Sequence, residues 1–339
     1  MDSFLNKPNQ PVKIILDTDM GNDIDDALAL ALIHTLQDHG ECELLSVISS
    51  KDHPNAATCI DLLNTFYGRP SIPIGQITSG FTPEVGLFNK ALTDKQNDQG
   101  KPLYPCSQSP EQYTDPVTLL RKQLAEHDDH SVIIMMIGFS TNIIRLFESP
   151  PDQYSPLSGH DLVDQKVSYF SVMAGNFCEE NVHSPDLKYR EYNIHMDPES
   201  ARRFANESPR PIIYSGFEIG LAIPYPMASI ESDYNWIDHH PVIDGYRLYR
   251  EMPHNRPTWD LTSALFSIRP HEGYFQLSQP GNVDIREDHV TVFTPDPNGN
   301  CVYLKLDPNQ IPRITQTFTE LCSAIPRNHP AAKQQTPTT

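Results

Sequence analysis

The most informative segment of this 339-residue chain reads Val12-Lys-Ile-Ile-Leu-Asp-Thr-Asp-Met-Gly-Asn-Asp-Ile-Asp-Asp-Ala-Leu-Ala-Leu-Ala-Leu-Ile33. It begins with a short, mainly apolar run, which is typical of a buried strand. It ends with an unbroken apolar run from Ala27 to Ile33, which favours a helix. The acidic residues between the two runs, with the single glycine Gly21, form a tight loop. The segment therefore predicts a β-strand, an acidic loop and an α-helix, as in the first unit of an α/β fold.

The loop holds five aspartates within ten residues. They are Asp17, Asp19, Asp23, Asp25 and Asp26. Two like unit charges about 4 Å apart repel by about 4 kcal/mol at an effective dielectric constant near 20, so carboxylates packed this densely require protonation, wide spacing or a cation. An oxygen-preferring divalent ion such as Ca²⁺ meets this requirement. The loop predicts a metal site, although not an EF-hand, because its sixth position counted from Asp17 is Asn22 rather than glycine.

Strands and helices alternate along most of the chain. Strand-like segments occur at 42–48, 71–75, 131–137, 167–173 and 211–214, and helical segments at 54–67, 117–127 and 198–206. This alternation predicts a doubly wound, mostly parallel open sheet with helices on both faces. Segment 131–137 is the most apolar, so we expect it at the centre of the sheet, buried on both sides.

The pattern changes to β-type alternation from about residue 272, with turn signals at Pro280-Gly281 and Asn298-Gly299. We therefore expect one catalytic domain over residues 1–327, in which 272–327 is a β-rich C-terminal appendage. The polar residues 328–339 are expected to be a disordered tail. A turn-rich loop from about residue 78 to 116 is expected to cover a site.

The formal net charge of −19 argues against nucleic acid or an anionic membrane surface as a partner. No segment approaches about 18 unbroken apolar residues, so no membrane span is expected. The N-terminus lacks the basic and apolar regions of a signal peptide. Six widely spaced cysteines contain no Cys-x-x-Cys pair, which indicates free thiols rather than a zinc or redox motif. Together these features favour a cytoplasmic protein.

Four motifs follow strand-like segments, and sites in open α/β sheets form at the carboxyl ends of strands. The motifs are Asp17-Thr-Asp19-Met-Gly21 with Asp25-Asp26-Ala27, Ile137-Gly-Phe-Ser-Thr-Asn142, Met173-Ala-Gly-Asn176 with Glu191-Tyr-Asn193-Ile-His-Met-Asp197-Pro-Glu199, and Trp259-Asp260. Each motif alone is weak. In this order, over about residues 12–270, they resemble the nucleoside hydrolase family of the inosine–uridine-preferring type.

The resemblance implies a calcium site and a general base. Ca²⁺ would be held by Asp19, Asp26 and Asp260 together with the main-chain carbonyl of Ile137. Asp19 would also accept the proton of the attacking water, as a general base does.

The resemblance further implies residues that bind the substrate. Asp25, Asn176, Glu191 and Asn193 would contact sugar hydroxyls. Because the acidic loop is two residues longer than the shortest form in the family, Asp23 remains an alternative to Asp25. Because the spacing from Asn176 to Glu191 is long, Asn181 remains an alternative to Asn176.

The activity implied is calcium-dependent hydrolysis of the N-glycosidic bond of a free ribonucleoside, which releases the base and ribose. Many pyrimidine-accepting relatives carry a histidine before the last metal-binding aspartate, whereas this chain has Trp259, as the purine-preferring branch does. An indole can stack on a purine, so a purine nucleoside and a role in purine salvage are predicted. The acid that protonates the leaving base stays open. Relatives are commonly homodimers or homotetramers.

Two other functions remain in competition. A sugar- or nucleoside-binding protein on the same fold would require calcium without catalysing hydrolysis. A phosphatase of the aspartyl-phosphate type would use Asp17 as nucleophile and Asp19 as acid. The family's usual glycine-asparagine turn after the second strand is also missing here, with Asp52 or Asn55 as its possible replacement.

Overall fold

The computed structural model describes residues 10–178 and 190–334 of the chain. Its strands are β1 Val12–Thr18, β2 Cys42–Lys51, β3 Ile74–Phe81, β4 Val132–Met136, β5 Val167–Met173, β6 Ile212–Ser215, β7 Pro224–Tyr225, β8 Arg256–Pro257, β9 Gln276–Leu277, β10 Gly281–Ile285, β11 Thr291–Pro295 and β12 Cys301–Lys305. Its α-helices are α1 Asp25–Asp38, α2 Pro54–Phe66, α3 Asn89–Thr93, α4 Pro116–Ala125, α5 Thr141–Glu148, α6 Gly159–Lys166, α7 Tyr192–Met196, α8 Pro198–Glu207, α9 Phe217–Ala222, α10 Met227–Ser232, α11 Pro241–Tyr249, α12 Trp259–Ile268 and α13 Ile311–Cys322. Short 3-10 helices lie at Pro110–Gln112, Pro308–Gln310 and Pro330–Gln334.

A ten-stranded sheet runs through the molecule in the order β11-β10-β12-β6-β5-β4-β1-β2-β3, with β9 paired to β12. The strands from β12 to β3 in this order pair in parallel. Strand β10 pairs antiparallel with both β11 and β12, and β7 pairs antiparallel with β8. The predicted doubly wound, mostly parallel open sheet is therefore confirmed.

Strands β1 and β4 lie side by side at the centre of this sheet. The chain continues from β1 to β2 on one side, whereas β4 leads to β5 on the other. All five residues of β4 are fully buried, as its unbroken apolar sequence predicts. Because the strand order reverses between β1 and β4, their carboxyl ends flank the crevice in which sheets of this type bind ligands.

Helices cover both faces of the sheet, with an apolar core on each side. One core includes Leu28 of α1, Leu63 of α2, Leu265 of α12 and Phe318 of α13, and the other includes Leu120 of α4, Ile143 of α5, Leu162 of α6 and Phe204 of α8. Helix α1 is buried from Asp25 to Leu36, which accounts for its unbroken apolar sequence, since a helix with apolar residues all round is an interior helix. Among residues 10–178 and 190–334, no helix combines the length and apolar character needed to cross a membrane.

The C-terminal region is β-rich, as expected, and its strands β10, β11 and β12 continue the main sheet. Val302 of β12 pairs in parallel with Ile213 of β6, and α13 packs against α1. In the segment that was expected to be a disordered tail, the ring of His329 lies 5.1 Å from that of Trp236. Residues 335–339 lie outside the described part.

Candidate active site

A cavity of about 360 Å³ opens at the carboxyl ends of β1 and β4. This volume falls within the roughly 300–1,000 Å³ typical of small-molecule sites. The predicted site residues that line the cavity are Asp19, Asp25, Ile137, Glu191, Asn193, Trp259 and Asp260. The fold therefore brings together side chains from four separate motifs, although Asp26 and Asn176 are not part of the cavity wall.

Asp17 is fully buried and is not part of the wall. Its Oδ2 accepts a hydrogen bond from Asn142 Nδ2 at 3.0 Å, and its main-chain carbonyl accepts one from the N–H of Ile137 at 2.7 Å. Burial raises the pKa of the Asp17 carboxyl to about 7. These bonds join the end of β1 to the segments after β4. A carboxyl enclosed in this way is poorly placed to attack a phosphate ester, which argues against the phosphatase hypothesis.

Three aspartates from two distant segments form a carboxylate cluster. Asp25, Asp26 and Asp260 are buried, and each has a carboxylate oxygen within 4.8 Å of those of the other two. Asp25 and Asp26 begin α1, whereas Asp260 lies in the first turn of α12 and donates its backbone N–H to Asp25 Oδ2 at 3.2 Å. The Thr18 hydroxyl donates to Asp26. Burial, reinforced by repulsion among the carboxylates, raises the pKa of all three groups well above the usual value.

This cluster fits a hard divalent cation, because its donors are all oxygen and its buried negative charges repel one another. Asp26 and Asp260 were predicted as metal ligands and belong to the cluster. Asp25, predicted to bind ribose, is the third member of the cluster, because the adjacent residues Asp25 and Asp26 at the start of α1 both bring a carboxylate close to Asp260. Asp19, predicted as a metal ligand, lines the cavity.

Asp19 is held by a polar network drawn from three segments. Asn22 Nδ2 donates to Asp19 Oδ2 at 2.7 Å. The ammonium of Lys51, at the end of β2, donates to Asn22 Oδ1 and to the carbonyl of Thr82, both at 2.8 Å. Burial raises the pKa of Asp19 to about 6, although the Asn22 hydrogen bond and the Lys51 charge lower it in part. A cavity-lining carboxyl with a pKa in this range is suited to proton transfer near neutral pH.

Asp52 and Asn55, the possible replacements for the family's turn after β2, form hydrogen bonds with other segments. Asp52 Oδ2 accepts the N–H of Gly80 at 2.9 Å, and Asn55 Nδ2 donates to Thr93 Oγ1 at 3.3 Å. Neither lines the cavity. Lys51 instead connects this strand end to Asp19 through Asn22, a role that the sequence did not predict.

Asn193 bridges the ends of β4 and β5. Its Nδ2 donates to the main-chain carbonyls of Ile137 and Met173, at 3.2 and 3.0 Å. A carbonyl oxygen has two lone pairs, so the Ile137 oxygen retains capacity for the cation that the family resemblance implies there.

Glu191 lines the cavity and also caps α7. Its carboxylate accepts the backbone N–H groups of Asn193, Ile194 and Gly175, at 2.9, 3.0 and 3.1 Å. Burial raises its pKa to about 7, although these hydrogen bonds to the charged form lower it in part. Glu191 is thus fixed in position before any sugar hydroxyl approaches.

Asn176 is not brought to the cavity. Its Oδ1 accepts the N–H of Cys178 at 3.0 Å, forming a local turn after β5. The alternative, Asn181, lies outside the described residues.

Aromatic rings and an arginine form one side of the cavity. The indole of Trp259 stacks on Phe217, with centroids 5.4 Å apart, and its Nε1–H donates to the Phe217 carbonyl at 2.9 Å. The guanidinium of Arg256 lies 5.0 Å from the ring centroids of both Trp259 and Tyr249. Arg256 also forms a forked ion pair with Asp23. Asp23, the alternative to Asp25, is therefore already paired, and the indole of Trp259 already has two partners.

Sequence reasoning missed Arg256 and Tyr249 as cavity residues. The available signal was the position of Arg256 three residues before Trp259, in Arg256-Pro-Thr-Trp259-Asp260. Asp23 and Arg256 are 233 residues apart, and no local pattern predicts such a pair.

The turn-rich loop does reach the cavity. Leu87 lines it and is 62% exposed, and the Leu87 N–H donates to the Gly21 carbonyl at 2.8 Å. Gly21 has φ of +111°, and a Cβ there would lie 2.3 Å from Asn89 Nδ2. The single glycine of the acidic loop is thus required both by its backbone conformation and by the close approach of this second loop.

The sequence profile described as "Inosine-uridine preferring nucleoside hydrolase" matches residues 14–292. No curated protein matches the chain.

Solved structures of low sequence identity share the fold. A plant nucleoside hydrolase superposes with a TM-score of 0.69 at 18% identity, over 93% of this chain and 100% of that chain. A purine-preferring ribonucleoside hydrolase from Gardnerella vaginalis gives 0.68 at 17% identity, over 92% and 98%. An inosine-uridine preferring nucleoside hydrolase from Bacillus anthracis gives 0.67 at 18% identity, over 93% and 100%. Because the family profile spans most of the chain and the fold agrees with it, the chain belongs to the inosine-uridine preferring nucleoside hydrolases, a family of N-glycosyl hydrolases.

Proposed function

We propose that this protein hydrolyses the N-glycosidic bond of purine ribonucleosides in a calcium-dependent reaction that releases the free base and ribose. The observation that carries the proposal is the carboxylate cluster of Asp25, Asp26 and Asp260 at one side of a cavity that also contains Asp19 and Asn193. A non-catalytic nucleoside-binding protein has no need of a further carboxyl group, here Asp19, that lines the cavity beside the metal site and can take a proton from water.

We propose Asp26 and Asp260 as carboxylate ligands, since the family resemblance implies both and their place in the buried carboxylate cluster supports them. Asp19 and Asp25 compete for the third carboxylate position, and the Ile137 carbonyl supplies a main-chain ligand. Bound Ca²⁺ would acidify a water molecule and offset the repulsion among these carboxylates.

The reaction adds water across the bond between C1′ of the sugar and a ring nitrogen of the base. Asp19 takes a proton from the attacking water, and the resulting hydroxyl bonds to C1′. The base leaves with the electron pair of the broken bond and gains a proton. The ring oxygen and C1′ share a developing positive charge, which the surrounding carboxylates stabilise. Glu191 and Asn193 orient the sugar through hydroxyl contacts.

The purine preference rests on the aromatic side of the cavity. Phe217, Trp259 and Tyr249 offer ring surface to a planar base, and contacts between aromatic rings are worth on the order of 1 kcal/mol beyond area burial. Replacing Trp259 with alanine should therefore reduce turnover of purine nucleosides more than turnover of p-nitrophenyl riboside.

A panel of purine and pyrimidine nucleosides, assayed for base release with Ca²⁺ and with EDTA, tests the proposal. We expect release of purine bases with Ca²⁺ and none with EDTA. Binding without release would indicate the non-catalytic alternative, and hydrolysis of p-nitrophenyl phosphate would indicate the phosphatase. No release from any nucleoside in the presence of Ca²⁺ would refute the proposal.

Other parts of the proposal concern the protein as a whole. We propose that residues 1–327 act as one catalytic domain in a cytoplasmic homodimer or homotetramer that serves purine salvage. Light scattering of the purified protein tests the assembly, and a monomer at micromolar concentration would contradict it.

A further inference from the structure

Arg256 is held beside the cavity by an ion pair and by two aromatic rings. Its Nε donates to Asp23 Oδ1 at 2.8 Å, and its Nη2 donates to Asp23 Oδ2. The guanidinium carbon lies 5.0 Å from the ring centroids of Tyr249 and Trp259. The side chain is 18% exposed and lines the cavity. Its orientation is therefore set before a ligand binds, so little conformational entropy is lost when it contacts one.

Arg256 is the basic residue among the described residues that line this cavity, and no histidine lines it there. The aspartates Asp19, Asp25 and Asp260 line the same cavity, so its carboxylates disfavour a phosphate group near Arg256. The charge of Arg256 is also balanced by Asp23. These charges favour a neutral ligand group that accepts hydrogen bonds over an anion.

The guanidinium has donors beyond those that Asp23 uses. A guanidinium carries five N–H groups in one plane, and the ion pair takes one from Nε and one from Nη2. The Nη1 donors lie in the same plane as these two. A planar base beside Trp259 offers its edge to such donors.

Purines differ at the edge that carries the 6-substituent and N7. A 6-oxopurine presents two acceptors, O6 and N7, which match two donors of an arginine, whereas adenine presents the acceptor N7 next to an amino donor. An arginine that faces adenine forms one hydrogen bond fewer, because one of its N–H donors then faces the amino group, which is also a donor.

We propose that Arg256 determines base specificity by donating hydrogen bonds to O6 and N7 of the leaving base, so that the protein selects 6-oxopurine nucleosides over adenosine. This inference rests on the proposed function, because it concerns the base subsite of the same cavity.

The same contact assists departure of the base. When the bond between C1′ and N9 breaks, the electron pair moves to the purine and its negative charge spreads over the ring nitrogens and O6. Arg256 stabilises this charge through hydrogen bonds and transfers no proton, since its pKa stays far above neutral. The attacking water gives its hydroxyl to C1′ and its proton to Asp19, and the released base takes a proton from solvent.

Arg256→Met, which removes the donors and keeps a long side chain, tests the proposal. Arg250→Met serves as the matched control, since Arg250 is exposed and does not line the cavity. The double variant Asp23→Asn with Arg256→Met shows whether an unpaired Asp23 causes any loss. For each protein, kcat/KM is measured with inosine, adenosine and p-nitrophenyl riboside, and thermal unfolding is recorded.

We expect the unaltered protein to prefer inosine over adenosine by about tenfold or more. Arg256→Met should lose about that factor with inosine and less with adenosine and p-nitrophenyl riboside, and the double variant should behave in the same way. Equal losses with all three substrates would overturn the inference and identify Arg256 as a positioning residue for the acidic loop.

Binding of the free bases separates this inference from the proposed function. Quenching of tryptophan fluorescence by hypoxanthine and by adenine needs no turnover. Tighter binding of hypoxanthine, lost in Arg256→Met, supports the inference even if no nucleoside is hydrolysed. Equal binding of the two bases by the unaltered protein would refute it, whatever the activity.

Discussion

Two sets of buried charges in this fold differ in whether groups of opposite charge surround them. Arg121 of α4 is 2% exposed, and its Nε lies 2.8 Å from Asp152 Oδ2. Its Nη1 donates to Ser149 Oγ at 2.9 Å, and its Nη2 donates to the carbonyls of Ser155 and Leu157 at 3.2 and 3.0 Å. In contrast, Asp25, Asp26 and Asp260 have one another's carboxylates as close neighbours.

The difference separates a charge that supports the fold from charges that serve a site. The surroundings of Arg121 supply an opposite charge and hydrogen-bond acceptors, so its burial is satisfied within the chain. The aspartate cluster leaves that compensation to a ligand. Like-charge crowding, rather than burial alone, marks the functional site here.

The largest expected effect comes from Asp19→Asn, which keeps the shape of the side chain and removes the proposed base. We expect kcat to fall by about 10²–10⁴-fold, the typical contribution of general base catalysis. The melting temperature should not fall, because one charge is removed from a crowded acidic region. Steady-state kinetics and thermal unfolding measure the two quantities.

Asp52→Asn is the matched control, since Asp52 also follows a strand of the sheet but does not line the cavity. Its kcat should remain that of the unaltered protein. Full activity of Asp19→Asn would refute the assignment of the base.

Arg121→Met should have the opposite effect to Asp19→Asn, because it should lower stability and leave catalysis unchanged. We expect the free energy of unfolding to fall by about 2–3 kcal/mol, because the carbonyls of Ser155 and Leu157 lose their donors. The partly exposed Asp152 contributes little to this loss, since water solvates it. Urea unfolding measures the change, and kcat per folded molecule should be unaltered. A variant with unchanged stability and reduced kcat would contradict the assignment of Arg121 to the fold rather than to the site.

Calcium should stabilise the protein through the aspartate cluster. At a concentration of about 100 times its dissociation constant, the ion adds about 2.7 kcal/mol to the free energy of unfolding. Asp26→Asn should lose most of this gain and, in EDTA, should unfold at a higher temperature than the unaltered protein. Calorimetry with Ca²⁺ and with EDTA measures both effects. Equal stabilisation of the two proteins by Ca²⁺ would exclude Asp26 as a ligand.

His34 gives the smallest expected effect. Burial lowers the pKa of His34 to about 3 in the folded protein, whereas an unfolded histidine has a pKa near 6.5. Protonation below pH 6.5 therefore favours the unfolded chain, and stability falls as the pH drops from about 6.5 toward 3. Between pH 6.5 and 5.5 the loss is about 1 kcal/mol.

His34→Gln should remove this part of the pH dependence, because glutamine does not titrate. His239→Gln is the control, since the side chain of His239 is 56% exposed. Urea unfolding at several pH values measures the slopes, and identical slopes for His34→Gln and the unaltered protein would contradict the expectation.

Local sequence pattern was sufficient for much of the fold. The apolar runs before Asp17 and Ile137 predicted the two central strands, because strands covered on both faces carry few polar residues. The place of β12 was not predictable in this way. Its parallel partner β6 lies far away along the chain, and its short alternating sequence is equally compatible with a separate β-unit.

The site was likewise predictable from the sequence only in part. The crowding of five aspartates between Asp17 and Asp26 predicted a metal site from charge alone, and the resemblance added Asp260. The roles of Arg256 and Lys51 escaped prediction because each depends on a distant partner, Asp23 for Arg256 and Asn22 for Lys51.

The pairing of β12 with β6 also has a consequence for biosynthesis. Roughly 85 residues separate the end of β6 from the start of β12, and a ribosome adds about 5–20 residues per second. For roughly 4–17 s, therefore, the nascent chain carries β6 without its outer neighbour, and an uncovered edge strand is prone to pair with other chains. Translation speed and chaperone contact over this stretch should therefore influence the yield of native protein.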